Sequence, residues 1–234
     1  IVAVSGVDGV SIGDTIADSE HPEALPLIEI DEPTVKMSFS VNTSPFMGKE
    51  GTHSTSRTLR ERLFRDLRTN VSLRVETTDS PDEFLVSGRG ELHLSILVET
   101  MRREGYEFQV SKPEPVTKVI DDTVYEPYEH LVIDTREEYI GLLTEDLSGR
   151  LAELINMTND GEGNVRLEYG IPTRGLIGFR SAFVRDTRGT GVTNSVFTGF
   201  QPMTGEVKSA VTGVLVASET GVAITYGLLN VQGR

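Results

Sequence analysis

Arginine is the residue type whose placement in this sequence suggests chemistry, and that chemistry is contact with phosphate. Apolar periodicity predicts a helix from Thr173 to about Arg185. At 100° per residue, Arg174, Arg185 and Arg188 fall within about 60° of one another, away from the apolar stripe, provided that the helix continues to position 188. The N-terminus of this helix adds unpaired N–H groups that suit a phosphate. These three arginines therefore predict a surface that contacts RNA.

A second group of basic residues precedes and begins the first predicted helix. Lys49 and His53 lie in a glycine-bearing loop, and Arg57 follows the expected helix start at Thr55 or Ser56. Other arginines of this helix also lie off its apolar stripe: Arg62, Arg65 and Arg68. We interpret Lys49, His53 and Arg57 as further candidates for RNA contact. The alternative is that the arginines form exposed ion pairs, which contribute little to stability. Their carboxylate partners would be Glu61, Asp66 and Asp186.

No residue pattern predicts catalysis or a bound cofactor. The segment around Lys49 lacks the upstream glycine and the following Ser or Thr of a P-loop, so no nucleoside triphosphate site is expected. Residues 87–90 (Ser-Gly-Arg-Gly) resemble a phosphate loop, but the third glycine of a dinucleotide motif is missing. A tight turn whose glycines adopt positive φ is the simpler interpretation. Four histidines share no metal-ligand spacing: His21, His53, His93 and His130. The prediction is therefore that this chain has no catalytic, cofactor-binding or metal-binding residues.

The composition is that of an acidic protein without cysteine. The chain has 22 Lys and Arg against 36 Asp and Glu, which gives a formal net charge of −14. This balance disfavours a generic polyanion binder, which needs surplus basic residues, and restricts RNA contact to local basic surfaces. Without cysteine no disulfide forms, and no apolar run approaches the roughly 18 residues of a membrane-spanning helix. We therefore expect a cytoplasmic protein with no membrane partner.

The elements that must position these residues follow a repeated order. In the first unit, a strand from about Thr34 precedes a helix with a predicted apolar stripe of Leu59, Leu63, Phe64 and Leu67. Two strands within residues 71–86 form a hairpin around turn residues. A second helix ends near Glu104, before a glycine, and a fourth strand covers 106–110. The order β-α-β-β-α-β is typical of a ferredoxin-like unit.

A second unit with the same order follows the short joint Lys112–Pro115. Its predicted elements are strands near 116–120 and 129–134, a helix over 137–148, a hairpin within 151–169, the helix from Thr173 and a strand over 192–198. The flanking pieces indicate β structure, because residues 10–16 alternate in polarity and glycines punctuate residues 201–234. The predicted fold class is α+β, with two tandem ferredoxin-like units flanked by partial β-rich pieces.

Several motifs resemble those of one known family. Residues 87–94 (Ser-Gly-Arg-Gly-Glu-Leu-His-Leu) resemble the signature of the third domain of translational GTPases. Residues 44–51 (Ser-Pro-Phe-Met-Gly-Lys-Glu-Gly) and 173–180 (Thr-Arg-Gly-Leu-Ile-Gly-Phe-Arg) are similar to the BipA/TypA family among them. LepA shares the domain layout and is the nearest alternative. The resemblance covers the full length of the chain.

The resemblance implies four pieces of a longer protein. Residues 1–32 would end the β-barrel of domain II, and residues 33–113 would form domain III. Residues 114–200 would form domain V, and residues 201–234 would begin a β-rich C-terminal domain peculiar to the family. The GTPase domain, with its GTP and Mg²⁺, would lie outside this sequence, so we expect no enzyme activity from this chain alone.

The resemblance also implies a function for the parent protein. Members of the family are GTP-binding proteins that bind the ribosome, contact rRNA and tRNA, and assist large-subunit assembly or translation under stress. A monomer is expected for the parent, whereas exposed strands of the fragment could pair between chains. Another interpretation rests on fold analogy alone, because tandem ferredoxin-like units also serve as small-molecule-sensing regulatory modules.

Overall fold

Two antiparallel sheets, each covered on one face by helices, form the folded body of the protein. The computed structural model describes residues 2–7, 9–10, 12–26, 32–45, 47–207, 217 and 220–232. Each sheet and its helices enclose a separate hydrophobic core. The α+β prediction of two tandem units is therefore confirmed.

The first unit has the strand order of a ferredoxin-like fold. Its elements are β1 (Val35–Ser40), α1 (Ser56–Asp66), β2 (Arg74–Thr77), β3 (Glu83–Gly88), α2 (Glu91–Arg103) and β4 (Gln109–Val110). The sheet order is β2-β3-β1-β4, and the short strand β5 (Glu114–Pro115) also pairs with β1. Every pairing is antiparallel. The two central strands are therefore β1 and β3, with β2 and β4 on either side of them.

The first helix begins where its capping residue predicts. The hydroxyl of Thr55 accepts a hydrogen bond from the Thr58 N–H at 3.3 Å, which satisfies one of the unpaired N–H groups of the first turn. Leu59 and Leu63 are buried as expected, but the prediction that Phe64 joins this stripe is wrong, since its side chain is 37% exposed. One step around the helix from Leu63 carries Phe64 toward solvent.

The second unit repeats the order with longer strands. Its elements are β6 (Lys118–Ile120), β7 (Thr123–Arg136), α3 (Ile140–Gly149), β8 (Glu153–Asn159), β9 (Asn164–Pro172), α4 (Thr173–Leu176), α5 (Phe179–Asp186) and β10 (Val192–Pro202). The sheet order is β10-β7-β9-β8, with β6 forming a hairpin with β7. This order matches that of the first unit, strand for strand, once β6 is set aside.

The last helical region of the second unit differs from the prediction. We expected one helix from Thr173 to about Arg185, but α4 and α5 are separated by Ile177 and Gly178. Gly178 has a φ of +73°, in the left-handed region that favours glycine, and this interrupts the helix. Helix α5 also ends before Arg188, whose φ is +53°. A single helical wheel therefore does not describe the arginines of this region.

The flanking pieces do not form the predicted strands among the described residues. Residues 2–7, 9–10 and 12–26 contain no strand, and their side chains are exposed. At the other end α6 (Thr225–Gln232) is a helix, where we predicted strands and turns. Residues 208–216, for which strands were also predicted, lie outside the described residues. No helix in the described part of the chain has the length and apolar character to cross a membrane.

The two units are connected by more than the chain that joins them. Strand β5 lies in the sheet of the first unit, and the Val116 N–H donates to the Thr34 carbonyl at 2.9 Å. Elsewhere the carboxylate of Glu91, on α2, accepts a hydrogen bond from the Gly178 N–H at 2.9 Å. A cleft of about 570 Å³ lies between the start of α2 and the second unit.

Candidate functional site

The loop that carries Lys49 is wrapped around a buried carboxylate. The side chain of Glu107 accepts hydrogen bonds from the N–H groups of Gly48 at 2.6 Å, Glu50 at 3.1 Å and Gly51 at 3.2 Å. The Asn42 side-chain amide donates a fourth, at 2.9 Å. These donors, with the Gly48 N–H first, lower the pKa of Glu107 from 4.5 to about 2. Glu107 is therefore ionised at neutral pH.

This arrangement decides what the loop can bind. Three N–H groups that converge within one short loop form a cradle that suits a phosphate, but here the Glu107 carboxylate occupies it. Gly51 allows the close approach, since a Cβ there would lie 2.8 Å from the Gly105 carbonyl oxygen and from the Glu107 Cβ. The loop backbone is closed to a ligand, and the loop presents the exposed side chain of Lys49 from a fixed base.

His53 and Arg57 lie near the same end of the first unit. The backbone of His53 forms a bridge to Tyr106, and its exposed ring lies 4.8 Å from the Tyr106 ring, centroid to centroid. Arg57, in the first turn of α1, donates to Glu61 at 2.9 Å in a fully exposed ion pair. The structure thus brings Lys49, His53 and Arg57 to the loop and helix start that the sequence assigned to them.

A neighbouring arginine has a structural role that the sequence did not reveal. The Arg62 side chain is 5% exposed and donates to both oxygens of Glu104, at 2.5 and 2.9 Å, and to Asp66 at 2.5 Å. It joins α1 to the end of α2. A position off the apolar stripe was taken as solvent-facing, but Arg62 faces the second helix instead, and no local pattern identifies Glu104 as its partner.

Arg174 does not share a surface with the other two arginines of its predicted group. Its guanidinium forms two hydrogen bonds with Glu126, at 2.6 and 3.0 Å, and donates to the carbonyl oxygens of Thr204 and Gly205. Its side chain is 11% exposed, and Glu126 is 1% exposed. The geometry makes Arg174 a buried link between β7 and the chain that leaves β10. The predicted common face was wrong because the helix is broken and ends early.

Arg185 and Arg188 remain together at the end of α5. The Arg185 side chain is 76% exposed and pairs with Asp186 at 3.0 Å, while Arg188 is exposed and its N–H donates to the Arg185 carbonyl at 3.2 Å. Cations are favoured at this end of a helix because the last carbonyl groups carry partial negative charge. Their exposure leaves both side chains accessible to a partner.

The glycine turn of residues 87–90 is held in place by the side chain of His93. The His93 Nδ1 atom accepts the Arg89 N–H at 3.2 Å, and its Nε2 atom lies 2.8 Å from the side-chain amide of Asn70. Burial, with the charge of Arg89, lowers the pKa of His93, so the ring is neutral near pH 7. A neutral ring that accepts at Nδ1 carries its proton on Nε2, the atom that faces the side-chain amide of Asn70.

The conformation of this turn does not require its glycines in the way that we predicted. A Cβ on Gly88 would lie 2.9 Å from the Nδ1 atom of His93, so glycine is required by close packing. Gly90, with a φ of 164°, is extended and does not adopt the positive φ that we expected. The turn is a tight strand-to-helix connection, as the simpler interpretation held. Within the described residues, no group of three or more His, Asp or Glu side chains could hold a metal ion.

Two family models match the chain, one in each unit. The model described as Elongation Factor G, domain III, matches residues 49–112. The model described as Elongation factor G C-terminus matches residues 123–211. These matches fall on the two ferredoxin-like units in the order in which the units occur.

Curated relatives match over the whole chain. The large ribosomal subunit assembly factor BipA of Bacillus subtilis is 50% identical over 235 residues, covering 100% of this chain and 38% of the relative. The BipA protein of Haemophilus influenzae is 51% identical, with the same two coverages. A TypA-like chloroplastic protein of Arabidopsis thaliana is 47% identical, covering 100% of this chain and 35% of its own length.

These matches separate the interpretations that the sequence left open. The relatives carry BipA and TypA names, and the small-molecule-sensing alternative has no support among them. The chain spans about two fifths of the length of the curated relatives that it matches. On the strength of about 50% identity along its entire length, the chain belongs to the BipA/TypA family.

Proposed function

We propose that this chain is the ribosome-contacting part of a factor that assists assembly of the large ribosomal subunit. The observation that carries the proposal is the identity of about half of all residues with relatives named large ribosomal subunit assembly factor BipA. The matches run from end to end of the chain, so they include the exposed loops as well as the two cores. The partner would be the rRNA of the large subunit, with tRNA as a further contact.

The proposal divides the work of the whole factor between this chain and the rest. GTP and Mg²⁺ would be bound by a GTPase domain in the part of the relatives that this chain does not match. Residues 1–32 would close a β-barrel domain, residues 33–113 and 114–200 would be domains III and V, and residues 201–234 would open the C-terminal domain. The whole factor would act as a monomer in the cytoplasm, including under stress.

Two basic sites would make the RNA contacts. The first consists of Lys49, His53 and Arg57, on the loop and helix start of the first unit. The second consists of Arg185 and Arg188, at the end of α5. All five side chains are exposed. Arg174, our sixth candidate, is better explained as a buried support, because Glu126 and the carbonyl oxygens of Thr204 and Gly205 already hold its guanidinium.

The net charge explains why the contacts would be local. An acidic body repels a phosphate backbone at long range, so basic residues must approach it closely and release counterions there. Two separate sites on one chain bind more tightly than either alone, provided that the chain holds them at the spacing of their targets. Binding would therefore be sensitive to salt and to the angle between the two units.

Co-sedimentation with purified large subunits tests the proposal. The double variant Arg185→Glu and Arg188→Glu should lose about tenfold in affinity at low salt, since two charges change sign and the contact becomes more negative by about four units. A matched control is Arg102→Glu with Arg103→Glu, which makes the same change in net charge on exposed arginines of α2. Equal binding by both double variants and the unchanged chain, at two salt concentrations, would overturn the assignment of the second site.

A further inference from the structure

A hydrogen bond between a backbone N–H and a side-chain carboxylate connects two of the motifs that carry the family resemblance. Glu91, the first residue of α2, follows the glycine turn of the first unit, and Gly178 lies between α4 and α5 of the second. The Glu91 Oε2 atom accepts the Gly178 N–H at 2.9 Å, across 87 positions of sequence. A carboxylate that accepts an N–H forms a stronger hydrogen bond than a neutral acceptor.

The break between α4 and α5 is what makes this N–H available. In a continuous helix, the N–H at this position would donate to the carbonyl four residues earlier. The left-handed conformation of Gly178 interrupts that ladder and turns its N–H toward the first unit. A Cβ on Gly178 would meet no atom within 4 Å, so glycine is needed here for its φ of +73° and not for space.

The break is braced within the second unit. The Arg150 guanidinium donates to the carbonyl oxygens of Gly175 at 2.9 Å and Ile177 at 3.2 Å. A Cβ on Gly175 would lie 2.5 Å from the Arg150 carbonyl oxygen, so the backbone of α4 packs directly on the end of α3. Contacts within the second unit therefore position the Gly178 N–H independently of the first unit.

Among the described residues, other connections between the units lie at the joint, where α4 also approaches β5. Strand β5 fastens the joint to the first unit, and Lys118 forms an exposed ion pair with Glu32 beside it. Away from the joint, the facing surfaces are separated by the cleft of about 570 Å³. Units without a large apolar interface move relative to each other unless specific contacts prevent it.

We propose that Glu91 is a positioning residue that sets the angle between the two units by holding the Gly178 N–H. The joint gives one point of attachment, about which the second unit can turn. The Glu91 hydrogen bond gives a second point, at the start of α2, and attachment at two separated points narrows the range of angles between the units. We call this hydrogen bond between Glu91 and Gly178 the latch. Its role in spacing the two basic sites rests on the proposed function, whereas its role in restricting the angle between the units does not.

Distance measurement between two spin labels tests the latch in the free chain. The sequence has no cysteine, so Glu76→Cys on β2 and Glu145→Cys on α3 place one label on an exposed position of each unit. The otherwise unchanged chain should give one narrow distance distribution. Glu91→Ala should broaden that distribution about twofold, because the units then turn about the joint alone.

Two further variants separate the latch from a general loss of structure. Glu91→Gln should keep the narrow distribution, since its amide oxygen accepts the same N–H. Glu99→Ala removes two exposed ion pairs of the same helix without touching the second unit, and should also leave the distribution narrow. A distribution for Glu91→Ala as narrow as that of the unchanged chain, or one for Glu91→Gln as broad as for Glu91→Ala, would overturn the proposal.

Co-sedimentation of the same variants with large subunits keeps the two proposals apart. If the latch spaces the two basic sites, Glu91→Ala should bind several-fold more weakly than Glu91→Gln. A broadened distribution with no change in sedimentation would support the latch and contradict its link to ribosome contact. The labels report on the free chain, so their result does not depend on whether the chain binds ribosomes.

Discussion

The two ferredoxin-like units share a strand order but use buried carboxylates differently. In the first unit, Glu107 gathers three N–H groups of the loop that carries Lys49. In the second, Glu126 pairs with Arg174, which in turn holds two carbonyl groups of the chain beyond β10. Each carboxylate fastens a segment that lies outside the repeated elements. The fold is thus common to both units, and the ionic groups determine what each unit presents.

The largest expected effect comes from breaking the ionic link of the second unit. Arg174→Ala leaves Glu126 buried without a partner and should lower the free energy of unfolding by about 3–5 kcal/mol. Urea denaturation followed by circular dichroism measures this. The control is Arg166→Ala, which removes the exposed pair with Asp134 and should lower it by about 1 kcal/mol or less. Similar losses from both would show that burial of Glu126 does not matter.

A pair of core substitutions tests whether the two units fold independently. Leu63 and Leu143 are fully buried in separate cores. Leu63→Ala and Leu143→Ala should each remove about 2–5 kcal/mol, through lost burial and the cavity left behind. If the units are independent, each variant should lower the protection of backbone amides against hydrogen exchange in its own unit alone. A shift in both units from either variant would mean that they unfold together.

The loop of the first unit should lose stability at low pH. Because folding depresses the pKa of Glu107 from 4.5 to about 2, its contribution is complete above pH 4.5 and is lost as the pH falls toward 2. The protection of the Gly48, Glu50 and Gly51 N–H groups, measured against an unfolded peptide at the same pH, should therefore fall over that range. Glu107→Gln should remove this pH dependence, and its persistence in the variant would assign it to another group.

The smallest expected effect concerns how helices begin in the two units. Thr55 caps α1 with its hydroxyl, whereas α5 starts at Gly178 without a side-chain cap. Thr55→Ala should lower the free energy of unfolding of the first unit by about 1 kcal/mol. Thr55→Ser keeps the hydroxyl and should lower the free energy of unfolding by only a few tenths of a kcal/mol. A calorimetric difference between these two variants within error would exclude the cap as a stabilising feature.

Periodicity predicted most of the fold because it reports which face of each element is buried. The two helices of the first unit and the hairpins of both units follow directly from alternating or helical spacing of apolar residues. The break at Gly178 was missed because an isolated glycine is compatible with a helix, and the apolar stripe continues from Leu176 to Phe183 across it. The break is stabilised by a hydrogen bond from Arg150 to the Ile177 carbonyl, and the two residues are 27 positions apart, so local periodicity does not report it.

The candidate site was predicted less completely than the fold. Exposure of Lys49, His53 and Arg57 follows from their position off the apolar stripe or in a loop, and the structure agrees. Arg62 and Arg174 also lay off a stripe, yet both are buried ion-pair partners. Glu104 and Glu126 are 42 and 48 positions away, so these two pairings depend on how elements pack, whereas the second partner of Arg62, Asp66, lies at the i+4 spacing that the local sequence does encode.

The carboxylate beneath the Lys49 loop has a consequence for the kinetics of recognition. A loop whose N–H groups await a phosphate must become ordered when its ligand arrives, and that loss of entropy weakens and slows binding. Here Glu107 acts as an internal substitute for such an anion, so the ordering is complete once the chain has folded. A partner of the proposed basic site would therefore meet a loop that is already ordered. Its selection would depend on the reach of the Lys49 and His53 side chains, and not on closure of the loop around it.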